Sequence, residues 1–298
     1  MRYQTKLILL LMMVTLLAGC DPYSQDDYQE FVVIEAYLTA NNPLPEIKVS
    51  RTLPAGERYT FEDAALDNAT VRVFRLDDEG EVAEELPYNF STAGTYESTF
   101  PHVVQPLTEY RVEVTFTDRE ERVTATTLVP DQISVLNEVA TEIIYQGEEQ
   151  LTVLLSPTQD TGEQKVYIFN TIAIDPVEAN LTPFYKSAVD DNDDITVNDF
   201  INNSSGLVNE GNFTINEDGS TTLFFPWIGV AFYGENDVIT SSVDRNIRQL
   251  LRSQSVQLGG STLPPGEIPN VVYNVEGGIG VFGSFSADTV RTNFLRPE

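Results

Sequence analysis

The chain has 298 residues, with 17 Lys and Arg against 46 Asp and Glu, one His, one Cys and a formal net charge of −29. That charge excludes nucleic acid as the main partner, because phosphate binding needs a basic face. The single Cys20 excludes a disulfide framework and a Cys-based zinc site, and the single His102 excludes any mechanism that needs two histidines.

Residues 1–19 read as an address. Arg2 and Lys6 precede an apolar run from Leu7 to Leu17. The run is shorter than the roughly 20 residues needed to cross a bilayer, so it is the h-region of a signal peptide and not a membrane helix. It ends in Leu17-Ala18-Gly19-Cys20, which resembles a bacterial lipobox. On that reading Cys20 is the lipidated first residue of the mature protein. Each buried CH₂ contributes about 0.8 kcal/mol, so two or three acyl chains hold stably. Residues 20–29 form an acidic tether. Ser24 with its acidic neighbours resembles the export signals of Bacteroidota surface lipoproteins.

The hydrophobic content of 41% is enough for a core. Phe31 to Leu38 is a nearly continuous apolar run, as in a well-buried strand. Ile47 and Val49 alternate with polar residues. Val71–Leu76 is followed by Asp77-Asp78-Glu79-Gly80, a turn signal. Tyr110, Val112, Val114 and Phe116 alternate with polar residues, one face in and one out, and Arg122–Leu128 returns. These short strands predict a mostly β protein whose residues 30–130 form an immunoglobulin-like or carboxypeptidase-regulatory-like β-sandwich domain.

Residues 135–298 are expected to form a second β-rich domain with long loops. Leu151–Leu155 and Val166–Ile174 read as strands, and 175–220 as a polar, loop-rich excursion. Thr221–Phe232 is apolar, and Pro226 inside it marks an edge, bulge or break. Val243, Ile247, Leu250 and Leu251 recur at helical spacing and predict a helix over 242–254. Ser241 or Ser242 would cap it, with Asp244 in the first turn. Arg245, Arg248 and Arg252 share its other face, as a solvated face or a docking stripe. The glycine-rich segment from Val272 to Ser286 reads as a final strand or pair of strands.

Few motifs carry chemistry. Gly278, Gly280 and Gly283 spell G-x-G-x-x-G, but no helix is expected after them and only 15 residues follow, so a dinucleotide site is rejected. Asp190, Asp191, Asp193 and Asp194 offer hard oxygen ligands for a structural Ca²⁺, completed by Asn198 or Asp199, although the EF-hand template fails at Ile195 and Ile201. There is no G-x-S-x-G or S-x-x-K nucleophile motif. His102 reads as a surface or turn residue. Phe184, Tyr185 and Tyr233 are candidate stacking residues for a ligand, whereas Trp227 reads as core.

Four stretches resemble a known family: the lipobox, Val32–Thr39, Asn68–Val73 and the glycine-aromatic segment Asn274–Phe285. They resemble a family of Bacteroidota outer-membrane lipoproteins described as a domain of unknown function. Its members are commonly encoded beside TonB-dependent receptors. The resemblance implies a lipid-anchored accessory or binding protein on the outer membrane, partnered by such a receptor in nutrient uptake. The family has no active site to carry over, so no enzymatic activity is expected. The alternatives are a structural or adhesin-like surface lipoprotein and a carboxylate-based hydrolase.

Overall fold

The computed structural model describes residues 28–54, 56–159, 161–162, 164–208, 210–257 and 270–298. The signal peptide, Cys20 and most of the acidic tether lie outside the described residues. Among those described, the protein is mostly β, with one large mixed sheet of thirteen strands, a second sheet of three, and few helices.

The first part builds its strands by alternation. β1 (Val32–Thr39) buries Val32, Ile34, Ala36 and Leu38 and turns Glu35 and Tyr37 to solvent. The apolar run is therefore half-buried rather than covered on both faces. β2 (Ile47–Arg51), the one-turn helix α1 (Phe61–Ala64), β3 (Ala69–Leu76), β4 (Val82–Thr92), β5 (Thr95–Ser98), β6 (Glu109–Phe116) and β7 (Arg122–Leu128) follow. In the β3–β4 turn, Asp77 Oδ1 accepts from the amides of Glu79 and Glu81 at 3.1 and 2.8 Å, and Gly80 supplies a φ of +81°. β4 changes partner along its length. It pairs with β3 through Pro87 and with β5 from Tyr88 onward. The inward residues of β1, β2 and β5 and those of β3, β6 and β7 thereby share one core, which holds Ile34, Val49, Tyr96, Val73, Val112 and Val123.

Past residue 130 come β8 (Glu142–Ile144), β9 (Thr152–Leu155), β10 (Tyr167–Ala173), α2 (Pro183–Asp191), β11 (Asn202–Leu207), β12 (Phe213–Ile215), β13 (Thr221–Phe224), β14 (Gly234–Val243), α3 (Arg245–Gln257), β15 (Val275–Glu276) and β16 (Ile279–Leu295). The stretch 175–220 is thus less irregular than its composition suggests. α2 starts with Pro183 at a favoured first-turn position and buries only Tyr185. β11 reads NNSSGL and takes an edge of the large sheet, where backbone pairing needs no apolar pattern. Pro226 breaks the apolar run: β13 ends at Phe224, and a 3₁₀ turn covers Trp227–Gly229. A second core, with Phe169, Phe225, Phe294, Val153 and Leu223, lies between the large sheet and the small sheet of β12, β13 and β9.

β16 joins the two parts. It runs parallel to β1, with Ile34 opposite Gly280 and Thr39 opposite Phe285. It then runs antiparallel to β14, from Val243 opposite Phe285 to Gly234 opposite Phe294. Phe282 enters the first core and Phe294 the second. The segment after Pro130 is strapped to it: the Ile133 amide donates to Ser286 Oγ at 3.0 Å, the Val135 amide to Asp288 Oδ2 at 2.7 Å, and Thr292 Oγ1 to the Ala140 carbonyl at 3.1 Å.

The G-x-G-x-x-G triplet lies at the start of this strand and serves close packing. Gly280 has φ +114°, and a Cβ there would sit 2.1 Å from the Ile34 carbonyl oxygen. A Cβ on Gly283 would sit 2.5 Å from the Ile247 side chain, so this glycine lets α3 lie on the sheet.

Two expectations change. The helix α3 begins at Arg245, because Ser241 and Ser242 still pair in β14; Asp244 is its cap, with Oδ1 accepting from the Ile247 amide at 2.8 Å. His102 is buried and not a surface residue. Its Nε2 lies 2.8 Å from the Tyr110 hydroxyl, and its Nδ1 lies 3.4 Å from Glu84. Its flanks, Pro101 and the exposed Val103, look like a turn, but the ring folds under the loop onto β6. Burial lowers its pKa, Glu84 opposes that shift and Arg75 adds to it. No described helix is long and apolar enough to cross a membrane.

Candidate functional site

The most built-up polar site lies where β7, β16 and α3 meet. Inward positions of β7 are Val123, Ala125 and Thr127, and those of β16 include Phe282, Ser284 and Ser286. Alternation therefore aims polar side chains at a place where a core residue is normal. Thr127 Oγ1 donates to Asp244 Oδ2 at 2.5 Å and lies 2.7 Å from Ser284 Oγ, which also reaches the Leu128 carbonyl at 3.1 Å. The Asp244 amide donates to the Ser284 carbonyl at 3.0 Å. Burial pushes the Asp244 carboxyl up to about 6, against the hydrogen bonds from Thr127, Ile247 and Ser284 that favour its charged form. The group therefore exchanges its proton near neutral pH.

Two asparagines extend the junction. Asn246 Nδ2 and Asn274 Nδ2 both donate to the carbonyls of Thr126 and Phe282. They tie β7 to β16 where β15 no longer pairs with it. Asp244 also lines a cleft of about 300 Å³, together with Glu109, Asp131, Lys165, Arg245 and Arg248. The cleft walls carry hydroxyls and amides with charges of both signs, which suits a small polar solute. On one side Arg248 is buried and donates to the Gln164 carbonyl at 2.9 Å, and Arg252 reaches Gln164 Oε1 at 3.4 Å. The arginines of α3 are thus partly built into the cleft wall instead of forming one solvated stripe.

The residues singled out from the sequence do not converge here. Asp190 and Asp191 end α2, and Asp193 and Asp194 follow in the loop; all four are exposed. Lys186 Nζ lies 3.5 Å from Asp190, and Asp199 is held by the amide and hydroxyl of Thr196 in a capping box. Among the described residues no group of three or more His, Cys, Asp or Glu side chains is placed to hold a metal ion. Of the aromatic candidates, Phe184 is exposed but Tyr185 and Tyr233 are buried. Tyr185 donates to the Ile228 carbonyl and accepts from Asn203 Nδ2 at 2.7 Å. The Tyr233 ring packs edge-on to Tyr145 and under the Arg296 guanidinium, and Trp227 packs on the same Tyr145. Thr127, Ser284 and the buried state of Asp244 were missed from sequence. For Thr127 and Ser284 the signal was available, as polar residues at the inward parity of apolar strands.

These features define a β-rich protein whose two cores share one C-terminal strand and enclose a polar junction. The chain belongs to the family described as Domain of unknown function (DUF4249), whose model matches residues 21–291. No curated protein matches the chain. Among solved structures it is similar to the three N-terminal domains of the bacteriophage RB49 Highly Immunogenic Outer Capsid protein (10% identity, 91% of this chain and 71% of that one, TM-score 0.24). It is also similar to a tetra-tandem repeat from the extending region of a large adhesion protein (12%, 89% and 48%, TM-score 0.25). A third is Escherichia coli alpha-2-macroglobulin activated by porcine elastase (13%, 90% and 23%, TM-score 0.23).

Proposed function

We propose that this protein is a lipid-anchored outer-membrane accessory and binding protein, without enzymatic activity, that works with a TonB-dependent receptor in nutrient uptake. The observation that carries the reading is a juxtaposition. The family match begins at residue 21, immediately after Cys20 of the Leu-Ala-Gly-Cys motif. A cysteine that becomes the acylated N-terminus would release the family domain at its own first residue. The strongly acidic surface supports a protein that stays solvated and does not adhere to anionic envelope polymers.

On this reading the first core defines an immunoglobulin-like or carboxypeptidase-regulatory-like sandwich over residues 30–130, completed by the Phe282 end of β16. Residues 135–298 form the second unit. The junction cleft is the place for a small polar ligand, since ligand sites favour the seams between units.

Acyl labelling and co-purification test the proposal. In the native host, wild type should incorporate a fatty-acid label, and Cys20→Ser should not. Mild-detergent extraction should bring down a stoichiometric TonB-dependent barrel. An unlabelled wild-type protein would end the anchoring claim, and a labelled protein recovered alone would end the receptor claim.

A further inference from the structure

The outward face of β3, β6 and β7 carries Arg72, Arg111 and Arg122, in a chain with 46 acidic and 17 basic residues. Cross-strand register accounts for two of them. Glu113 stands opposite Arg72 on one side and Thr124 on the other, two residues from Thr115, which faces Arg122. Its buried carboxylate accepts from Arg72 at 2.6 Å and from Arg122, and Arg72 also lies 3.7 Å from Glu85.

Arg111 is placed differently. It stands opposite Phe74 on one side and Thr126 on the other. Its guanidinium lies 5.2 Å from the Phe74 ring centroid, and this cover, with Arg72 at 5.8 Å, leaves an outward-facing phenylalanine only 8% exposed. Among the described residues it meets no carboxylate at ion-pair distance, and its buried Nε donates to nothing. A guanidinium has five donors in a fixed fork that matches a carboxylate. Here the guanidinium is oriented by an aromatic face, its Nε is buried, and its two Nη groups, without a hydrogen-bond partner among the described residues, are the donors left for a ligand.

Arg111 and Arg122 line a groove of about 580 Å³ with Thr124, Thr126, Asn274 and Glu276. Asn274 is fixed by its bonds to Thr126 and Phe282, so that wall is rigid. The threonine side chains offer hydroxyls beside the arginine. Glu113 and Glu276 add negative charge near the groove, which disfavours a ligand with several charges.

We propose that this groove is a binding site for a small solute bearing one carboxylate, gripped by the Arg111 fork and hydrogen-bonded by Thr124 or Thr126. The groove adjoins the junction cleft, with Thr126 in the wall of both, and the inference does not depend on how the protein is anchored or which receptor it meets. The carboxylate is favoured over phosphate because one open fork matches one planar, singly charged group.

The test is saturation-transfer NMR on the full-length protein in detergent, with propionate as probe and inorganic phosphate as competitor. Wild type should give a saturable propionate signal that phosphate displaces poorly. Arg111→Ala should weaken binding about tenfold or more. Arg111→Lys should recover only part of it, because an ammonium lacks the fork. Glu276→Gln should tighten it about threefold by removing a nearby like charge. Thr124→Val with Thr126→Val keeps the Phe74 cover and should weaken binding, so a poorly folded alanine variant does not decide the outcome. Equal binding by wild type and both Arg111 variants, or no saturable signal from wild type, overturns the site. Stronger displacement by phosphate overturns the assignment to a carboxylate.

Discussion

The two hydrophobic cores use different side chains, although one strand runs through both. The first is dominated by Val, Ile and Leu, and its tyrosines lead their hydroxyls out to fixed partners. Tyr96 donates to the Leu66 carbonyl at 2.7 Å, and Tyr88 donates to that of Pro45 at 3.0 Å. The second adds rings in contact to its aliphatic side chains. Phe169 and Phe225 meet at 4.6 Å, Phe225 stacks on Phe294 at 6.0 Å, and Tyr145 receives Trp227 and Tyr233 edge-on. Branched aliphatics on alternating strands fill the space between two layers evenly. Large rings from strands and turns fill their space with fewer residues.

Substitutions can break or sharpen this contrast. Phe282→Ala and Phe294→Ala remove the ends of β16 from the two cores, and each should lower stability by about 3–5 kcal/mol. Because the strand is shared, urea unfolding of either variant should remain a single transition. Two separate transitions would show that the cores are independent. Gly280→Ala tests the parallel seam between β16 and β1, where a Cβ meets the Ile34 carbonyl at a positive φ. It should cost about 3 kcal/mol, read as a lower urea midpoint.

Asp244 sharpens the comparison at the seam. Its folded-state pKa, about 6, lies above the ordinary aspartate value of 3.8. Folding therefore favours the protonated form, and the stabilisation is fully present below the ordinary value and lost as pH rises through 6. The loss amounts to about 2–3 kcal/mol. Asp244→Asn keeps the cap and removes the titration, so the difference in stability between wild type and variant should change across pH 4–7. A constant difference would refute the burial argument. The smallest effect concerns the first core. Tyr110→Phe removes the hydroxyl that lies 2.8 Å from His102 and accepts from the Gln105 amide. It should cost about 1–2 kcal/mol in a thermal melt at neutral pH.

What was legible in the sequence follows the same line. β6 and β7 were readable because Val112, Val114, Val123 and Ala125 alternate with polar neighbours. α2 and β11 were not, because one buries a single tyrosine and the other pairs in the sheet without an apolar alternation. His102 was misread because the residues beside it describe a turn while its own burial depends on Tyr110, eight positions away in sequence. The candidate site was hidden for a related reason. Thr127, Asp244 and Ser284 come from three distant segments; strand parity hinted that Thr127 and Ser284 point inward, and nothing local marked the burial of the helix cap Asp244. The aspartate run at 190–194 was conspicuous in sequence and stays spread over an exposed helix end and loop.

The pairing of β1 with β16 has a consequence for synthesis. A chain made from its N-terminus presents β1 early, but the parallel neighbour of β1 lies at residues 279–285. Until translation is almost finished, one side of β1 is an open template for strand addition by other chains. Pairing across such a separation closes slowly. A truncation that removes β16 should therefore leave a product prone to association with other chains, so newly made protein is expected to need a holding chaperone until its last strand arrives.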